Sequence, residues 1–137
     1  MLSENDVIQA VCNFLKYHGY RVTSRTTTKQ HGVDIVAHHE ETGNQFFIEA
    51  KGQTSSKENT KRFGKPFNSA QVKVHVAEAF YQVTSLLRKD LIGSRRIAMA
   101  FPETSIHKRY LDRIRPAICH LGIEVLLVDT NQRVRTL

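Results

Sequence analysis

Apolar residues recur along the chain at two spacings, which predict helices and strands in a definite order. Helical spacing predicts a first helix over about residues 4–18, a second capped by Asn68 or Ser69, and a third capped by Thr104 or Ser105. Short apolar or alternating runs predict strands over about residues 20–24, 33–39, 45–51, 96–101 and 123–128, with a weak terminal strand or tail at 133–137. The predicted order is therefore α-β-β-β-α-β-α-β.

The connections between these elements predict an α/β fold with a mixed central sheet flanked by helices. The segment Glu41-Thr42-Gly43-Asn44 has the composition of a turn, so the second and third strands should form an antiparallel hairpin. The later strand–helix–strand segment favours a parallel, right-handed crossover. A chain of 137 residues is the size of a single domain. Pro116 predicts a kink or a restart of the third helix near residue 115.

Three charged residues, Asp34, Glu49 and Lys51, interrupt the apolar runs of the predicted hairpin. A charge in a buried strand is costly unless it is paired or binds a metal. A two-residue turn at Thr42-Gly43 would place Asp34 opposite Lys51, and a turn at Gly43-Asn44 would shift that pairing by two positions. Both registers put the three charges on one face, whereas a one-residue slip would separate Asp34 from the other two.

Two adjacent carboxylates repel each other, and two hypotheses explain how the repulsion is offset. Lys51 could offset it alone, as a structural ion pair. Alternatively, Asp34 and Glu49 bind Mg²⁺, which prefers hard oxygen ligands and typically takes one or two carboxylates plus a substrate phosphate. Lys51 would then lower the pKa of a water molecule or hold it in line with a phosphorus atom. Glu4 begins the inward stripe of the first helix, where it either favours the helix dipole or joins the site.

The charge of the chain favours a polyanionic partner such as nucleic acid. The chain has 20 Lys and Arg residues against 13 Asp and Glu residues, a net charge of +7. Two polar segments, residues 25–31 and 52–68, are predicted to be loops that contact phosphates. Their cations are Arg25, Lys29, Lys57, Lys61, Arg62 and Lys65. The second segment could instead be an insert that is basic by chance.

Other features of the sequence predict a cytoplasmic protein. No apolar run approaches the roughly 20 residues that span a bilayer. Glu4 and Asp6 stand where a signal peptide would carry basic residues. Cys12 and Cys119 have no metal-site spacing, and we expect both to be buried free thiols.

The hairpin residues resemble a known motif. Asp34, followed by Glu49-Ala50-Lys51, resembles the D…(D/E)-x-K motif of the PD-(D/E)xK nuclease superfamily. The predicted element order is similar to the αβββαβ core of its restriction-endonuclease-like fold. The resemblance covers about residues 3–101 and is nearest to the Holliday-junction-resolvase-like and Mrr-like branches. One departure is Val33, which stands where the name-giving proline would be.

The resemblance implies a role for each motif position. Asp34 and Glu49 would bind Mg²⁺ together with the backbone carbonyl of Ala50, and Mn²⁺ is an expected substitute. Lys51 would position or deprotonate the attacking water. The resemblance further implies that Glu4 binds metal through water or holds a second ion, and that Gln71 matches a glutamine found in some branches.

These features predict a Mg²⁺-dependent DNA endonuclease that hydrolyses phosphodiester bonds. The alternative is a catalytically silent DNA-binding or assembly module with a nuclease fold, against which the intact acid–acid–lysine set argues. A nuclease acting on RNA is disfavoured, because the sequence offers no aromatic platform typical of single-strand binders. A homodimer is left open as a partner, since resolution of a DNA junction would need a symmetric dimer.

Overall fold

In the computed structural model, a mixed sheet carries helices on both faces. The structure describes residues 1–25, 33–55, 61, 64–88 and 95–137. The helices are α1 (Glu4–Tyr17), α2 (Ser69–Ser85) and α3 (Ser105–His120), and a short 3₁₀ turn follows α2 at Leu86–Arg88. The strands are β1 (Tyr20–Arg25), β2 (Ile35–His39), β3 (Gln45–Ala50), β4 (Arg95–Pro102), β5 (Glu124–Val128) and β6 (Val134–Thr136). The predicted α/β class and element order are confirmed.

The strands lie side by side in the order of the chain, from β1 to β6. The pairs β1–β2 and β2–β3 are antiparallel, β3–β4 and β4–β5 are parallel, and β5–β6 is antiparallel. The two parallel pairs are connected through α2 and α3. Because successive crossovers of one hand place their helices on one face, α2 and α3 lie together and α1 covers the opposite face.

Alternation along β3 decides which face each of its residues meets. Phe46, Ile48 and Ala50 are fully buried and pack with α1 and its neighbours. Glu49, and Lys51 two positions later, therefore point to the other face, where α2 and α3 cover the sheet. Glu49 and Lys51 consequently lie on the α2 side of the sheet and not in the core formed with α1.

Hydrogen-bonded caps fix where α1 and α2 begin. Ser3 Oγ accepts the backbone N–H of Asp6 at 3.2 Å, and Asp6 Oδ2 accepts the N–H of Ser3 at 2.8 Å. Asn68 and Gln71 form the same reciprocal arrangement at the start of α2. Each pair satisfies amide donors that have no partner inside the helix. The predicted start of α1 is confirmed, and Asn68 is the cap of α2.

The hairpin between β2 and β3 has a longer turn than the sequence analysis predicts. His39 N–H donates to the carbonyl of Asn44 at 2.8 Å, so residues 40–43 form the loop. Ile35 then pairs with Ile48, and the same register aligns Asp34 with Glu49. The predicted two-residue turn is therefore wrong, and so is the predicted pairing of Asp34 with Lys51. The shift is an even number of residues, so all three charges keep the predicted face.

A restart of α3, one of the two outcomes predicted at Pro116, is wrong, and so is the expected burial of Cys119. The helix runs through Pro116 without the predicted restart. Pro116 removes a single backbone donor near the helix end, and the buried side chains Leu111 and Ile118 on either side hold the helix on the sheet. Cys12 is buried as expected, but Cys119 is exposed.

None of the described helices is long and apolar enough to cross a lipid bilayer.

Candidate functional site

Asp34 and Glu49 lie side by side at the open end of the β2–β3 hairpin. Asp34 immediately precedes β2, and Glu49 is the residue before the end of β3. Asp34 Oδ2 accepts the backbone N–H of Ala50 at 2.8 Å. This bond continues the pairing of the two strands beyond Ile35 and Ile48, and it places the Asp34 carboxylate against the end of β3.

Glu49 carries a buried carboxylate that the protein only partly satisfies. The residue is 8% exposed. Its Oε1 lies 4.0 Å from Lys51 Nζ, whereas its Oε2 is buried and has no hydrogen-bond partner among the described residues. A buried carboxylate oxygen without a partner is costly, and a bound cation would remove that cost. The two carboxylates therefore fit a hard divalent cation such as Mg²⁺.

The pKa of Glu49 also reflects a crowded acidic site that a cation would neutralise. The pKa of Glu49 is raised to about 8, first by burial and then by the negative charges of Asp34 and Glu4 and a side-chain hydrogen bond with Asp34, while the positive charge of Lys51 opposes the rise. Without a cation, the Glu49 carboxyl therefore releases its proton at a higher pH than an ordinary carboxyl does. Because a metal ligand must be deprotonated, binding of a cation here would release that proton.

Lys51 contacts carboxylates from two different elements. Its Nζ lies 3.2 Å from Glu78 Oε2 on α2 and 4.0 Å from Glu49 Oε1. The side chain of Lys51 is only 11% exposed, whereas that of Glu78 is 54% exposed. Glu78 was not among the residues predicted for the site. The sequence does contain a feature that could have pointed to it, because Glu78 is the one acid in the helix that follows the motif strand.

Gly52 allows the start of α1 to pack against the end of β3. A Cβ atom at Gly52 would lie 2.3 Å from the backbone nitrogen of Glu4 and 2.5 Å from the carbonyl carbon of Ser3. Next to this contact, Gln53 N–H donates to the carbonyl of Leu2 at 2.8 Å. A residue with a side chain could not occupy position 52 in this geometry.

This packing brings Glu4 near the acid pair. Glu4 is half-buried at the first position of α1, and its charge contributes to the raised pKa of Glu49. The part of the chain that the structure describes contains no group of three or more His, Cys, Asp or Glu side chains placed to hold one metal ion. The two roles that the resemblance implies for Glu4, binding the metal through water or holding a second ion, stay predictions.

Gln71 has a structural contact at the beginning of α2. Its Oε1 accepts the backbone N–H of Asn68 at 2.9 Å and closes the capping box. Glu78, two helical turns further along, is the α2 residue that contacts Lys51. A catalytic role for Gln71 stays a prediction, as does metal binding by the carbonyl of Ala50.

Three of the residues predicted to contact phosphates, Arg25, Lys61 and Lys65, are among the described residues. Arg25 is the last residue of β1 and not part of a loop as predicted, and it pairs with Ile35 beside Asp34. A hydrogen bond joins the two ends of the segment that follows β3, because Phe67 N–H donates to the carbonyl of Gln53 at 2.8 Å. Lys61 and Lys65 on this segment are exposed. The other predicted phosphate contacts, Lys29, Lys57 and Arg62, lie outside the described residues.

Comparison with known proteins agrees with the fold and the motif. A family model described as restriction endonuclease, of the Mrr catalytic type, matches residues 1–86. The chain belongs to this restriction endonuclease family. The matched range contains the whole acid–acid–lysine set, together with Glu4 and Glu78. The predicted nuclease superfamily is thereby confirmed.

This member of the restriction endonuclease family has the same fold as a protein of known structure. The crystal structure of a FdxN element excision controlling factor from Anabaena variabilis superposes with a TM-score of 0.57 at 19% identity. The alignment covers 96% of each chain. At that identity the similarity is one of fold. Comparison with curated proteins gives no match.

Proposed function

We propose that this family member is a Mg²⁺-dependent endonuclease that hydrolyses phosphodiester bonds in DNA. The observation that carries the proposal is the buried Oε2 of Glu49, which has no partner among the described residues and lies in a site shared with Asp34. An unsatisfied carboxylate oxygen beside a second carboxylate suits a cation better than it suits a structural ion pair. The restriction endonuclease family and the net charge of +7 support the same function.

Three residues would hold the cation: Asp34, Glu49 and Ala50, the last through its backbone carbonyl. Their donors are all oxygen atoms, which is the set that Mg²⁺ and Mn²⁺ accept. When bound, the ion supplies charge neutralisation at the scissile phosphate and the leaving oxygen. The bond from Ala50 N–H to Asp34 keeps the Asp34 carboxylate in place before any ion arrives.

Lys51 would position the attacking water. Its ammonium group is held beside Glu49 and donates to Glu78 Oε2 at 3.2 Å. An ammonium that donates hydrogen bonds can orient a water molecule and stabilise negative charge on the phosphate. This contact supports positioning over proton abstraction, because a charged ammonium has no lone pair to accept a proton.

The basic residues predicted to contact phosphates would bind the DNA backbone. Arg25, Lys61 and Lys65 are exposed among the described residues. Together with Lys29, Lys57 and Arg62 they would contact phosphates and not base edges. Such contacts give affinity that falls with salt and carry little sequence information.

Cleavage assays on linear, nicked and branched DNA test the proposal. Wild-type protein should cut with Mg²⁺ or Mn²⁺ and stop when EDTA is added. Lys51→Ala should lower the cleavage rate by about 100-fold or more while DNA binding changes by less than about threefold. Lys16→Ala, at the opposite end of α1 from Glu4, is the matched control and should cut like the wild type. DNA binding without metal-dependent cleavage by the wild type would overturn the proposal in favour of a silent binding module.

A further inference from the structure

We infer that Glu78 is a positioning residue that holds the ammonium of Lys51 away from Glu49 and so keeps Glu49 open to a cation. The inference rests on the proposed function in one respect, since it takes Asp34 and Glu49 as the metal-binding pair. It assigns to α2, through a residue outside the D…(D/E)-x-K motif, a specific part in the site.

The distances around Lys51 carry the inference. Two acidic side chains face one ammonium group, and Lys51 Nζ lies 3.2 Å from Glu78 but 4.0 Å from Glu49. Charges attract more strongly in a buried, low-dielectric environment than near solvent. Glu49 is the more buried partner, with a side chain 11% exposed against 54% for Glu78. The ammonium nevertheless lies nearer to the exposed acid, which is the arrangement expected if Glu78 holds it there.

The packing of α2 fixes Glu78 in this position. Val76 and Ala79, on either side of it in the sequence, are 3% and 0% exposed and pack against the sheet. These contacts set the rotation of α2 about its axis, so Glu78 is presented to Lys51 by a rigid element. The long side chain of Lys51 reaches Glu78 from the end of β3.

Loss of Glu78 should let Lys51 close on Glu49. A movement of about 1 Å would bring Nζ from 4.0 Å to the length of a charge-assisted hydrogen bond with Glu49 Oε1. Lys51 would then neutralise the buried carboxylate and compete with a cation for it. Glu78→Gln loses the charge but keeps an acceptor oxygen for Lys51, so it should disturb the arrangement less than Glu78→Ala, which removes both.

Calorimetric titration of Mn²⁺ into the DNA-free protein tests this directly. Glu78→Ala should weaken Mn²⁺ binding by about tenfold, and Glu78→Gln by less than about threefold. Glu41→Ala, which removes an exposed acid from the hairpin loop, controls for the loss of one negative charge and should have no effect. In a Lys51→Ala background, Glu78→Ala should change the affinity by less than about twofold, because no ammonium remains to close on Glu49.

The outcomes separate this inference from the proposed function. If wild-type protein binds no Mn²⁺, the proposed metal site falls, and this inference falls with it. If wild-type protein binds Mn²⁺ and Glu78→Ala binds it equally well, the inference alone is overturned. It is also overturned if Glu78→Ala weakens binding as much without Lys51 as with it, because Glu78 would then act on the cation independently. Thermal unfolding of each variant checks that it is folded.

Discussion

The backbone N–H of Ala50 donates to Oδ2 of Asp34 at 2.8 Å, so an acid of the candidate metal site is also part of the hairpin. One carboxylate oxygen holds two strands together at the point where their regular pairing ends. The structural and chemical parts played by Asp34 can be separated, because an amide side chain can accept the same hydrogen bond without carrying the charge.

Asp34→Asn should keep the fold and lose the metal. The asparagine oxygen can still accept the N–H of Ala50, so we expect the free energy of unfolding to change by less than about 0.5 kcal/mol. Mn²⁺ binding, measured by calorimetry, should fall below detection because one of two carboxylates is gone. Asp34→Ala is the companion variant and should cost about 1 kcal/mol of stability through the lost acceptor. Undiminished Mn²⁺ binding by Asp34→Asn would remove Asp34 from the ligand set.

Glu49→Gln should stabilise the metal-free protein, and more so at pH 8 than at about pH 5. The pKa of Glu49 is about 8 in the folded protein, against an ordinary value of 4.5. As the pH rises between these values, the unfolded chain releases this proton while the folded protein keeps it, so stability falls. Glutamine has no such proton. The gain in free energy of unfolding should grow by on the order of 1–3 kcal/mol across this range.

Denaturant unfolding in EDTA at several pH values measures this difference. Parallel pH profiles for wild type and Glu49→Gln would contradict the raised pKa of Glu49. As a control, saturating Mn²⁺ should stabilise the wild type and not the variant, because a ligand that binds only the folded state raises its stability.

Gly52→Ala should destabilise the protein by about 2 kcal/mol. The added methyl group would meet the backbone of Ser3 and Glu4 at 2.5 and 2.3 Å, so the start of α1 must move away from the end of β3. Denaturant unfolding measures the cost. Gln53→Ala is the matched control, since it keeps the backbone bond to Leu2 and should change stability by less than about 0.5 kcal/mol. Equal stability of the two variants would show that the close approach does not matter.

Neutralising the basic residues of the segment after β3 should flatten the salt dependence of DNA binding. Each phosphate contact that is lost should reduce the slope of log affinity against log salt by about 0.9. The variant replaces Lys57, Lys61, Arg62 and Lys65 by glutamine. Fluorescence anisotropy at several salt concentrations gives the slope, and Lys16→Gln serves as the single-charge control. An unchanged slope would mean that this segment does not contact DNA.

Part of the candidate site follows from the sequence because it depends on alternation alone. The hairpin can shift its register by any even number of residues and still keep Asp34, Glu49 and Lys51 on one face. The wrong turn length therefore did not disturb their grouping. The helix starts at Ser3 and Asn68 are likewise local, since each capping box needs only residues three positions apart.

Contacts between distant segments could not be obtained in this way. The four-residue loop at 40–43 fixed which residues face each other, and turn composition alone allowed shorter loops. Gln71 was predicted as a site residue from its place in the sequence, and in the structure its side chain closes the helix cap. Glu78 contacts Lys51, although the two residues lie 27 positions apart in the sequence. The rotation of α2 on the sheet turns Glu78 toward Lys51, and that rotation is set by side-chain packing.

The sequence by itself therefore determined the family motif, the element order and the common face of three charged residues. The tertiary structure decided the environment of those residues: the buried Oε2 of Glu49, the contact of Lys51 with Glu78, and the approach of Glu4 allowed by Gly52. The physical reason is that periodicity is a property of neighbouring residues. Burial and charge pairing instead depend on how whole elements pack against one another.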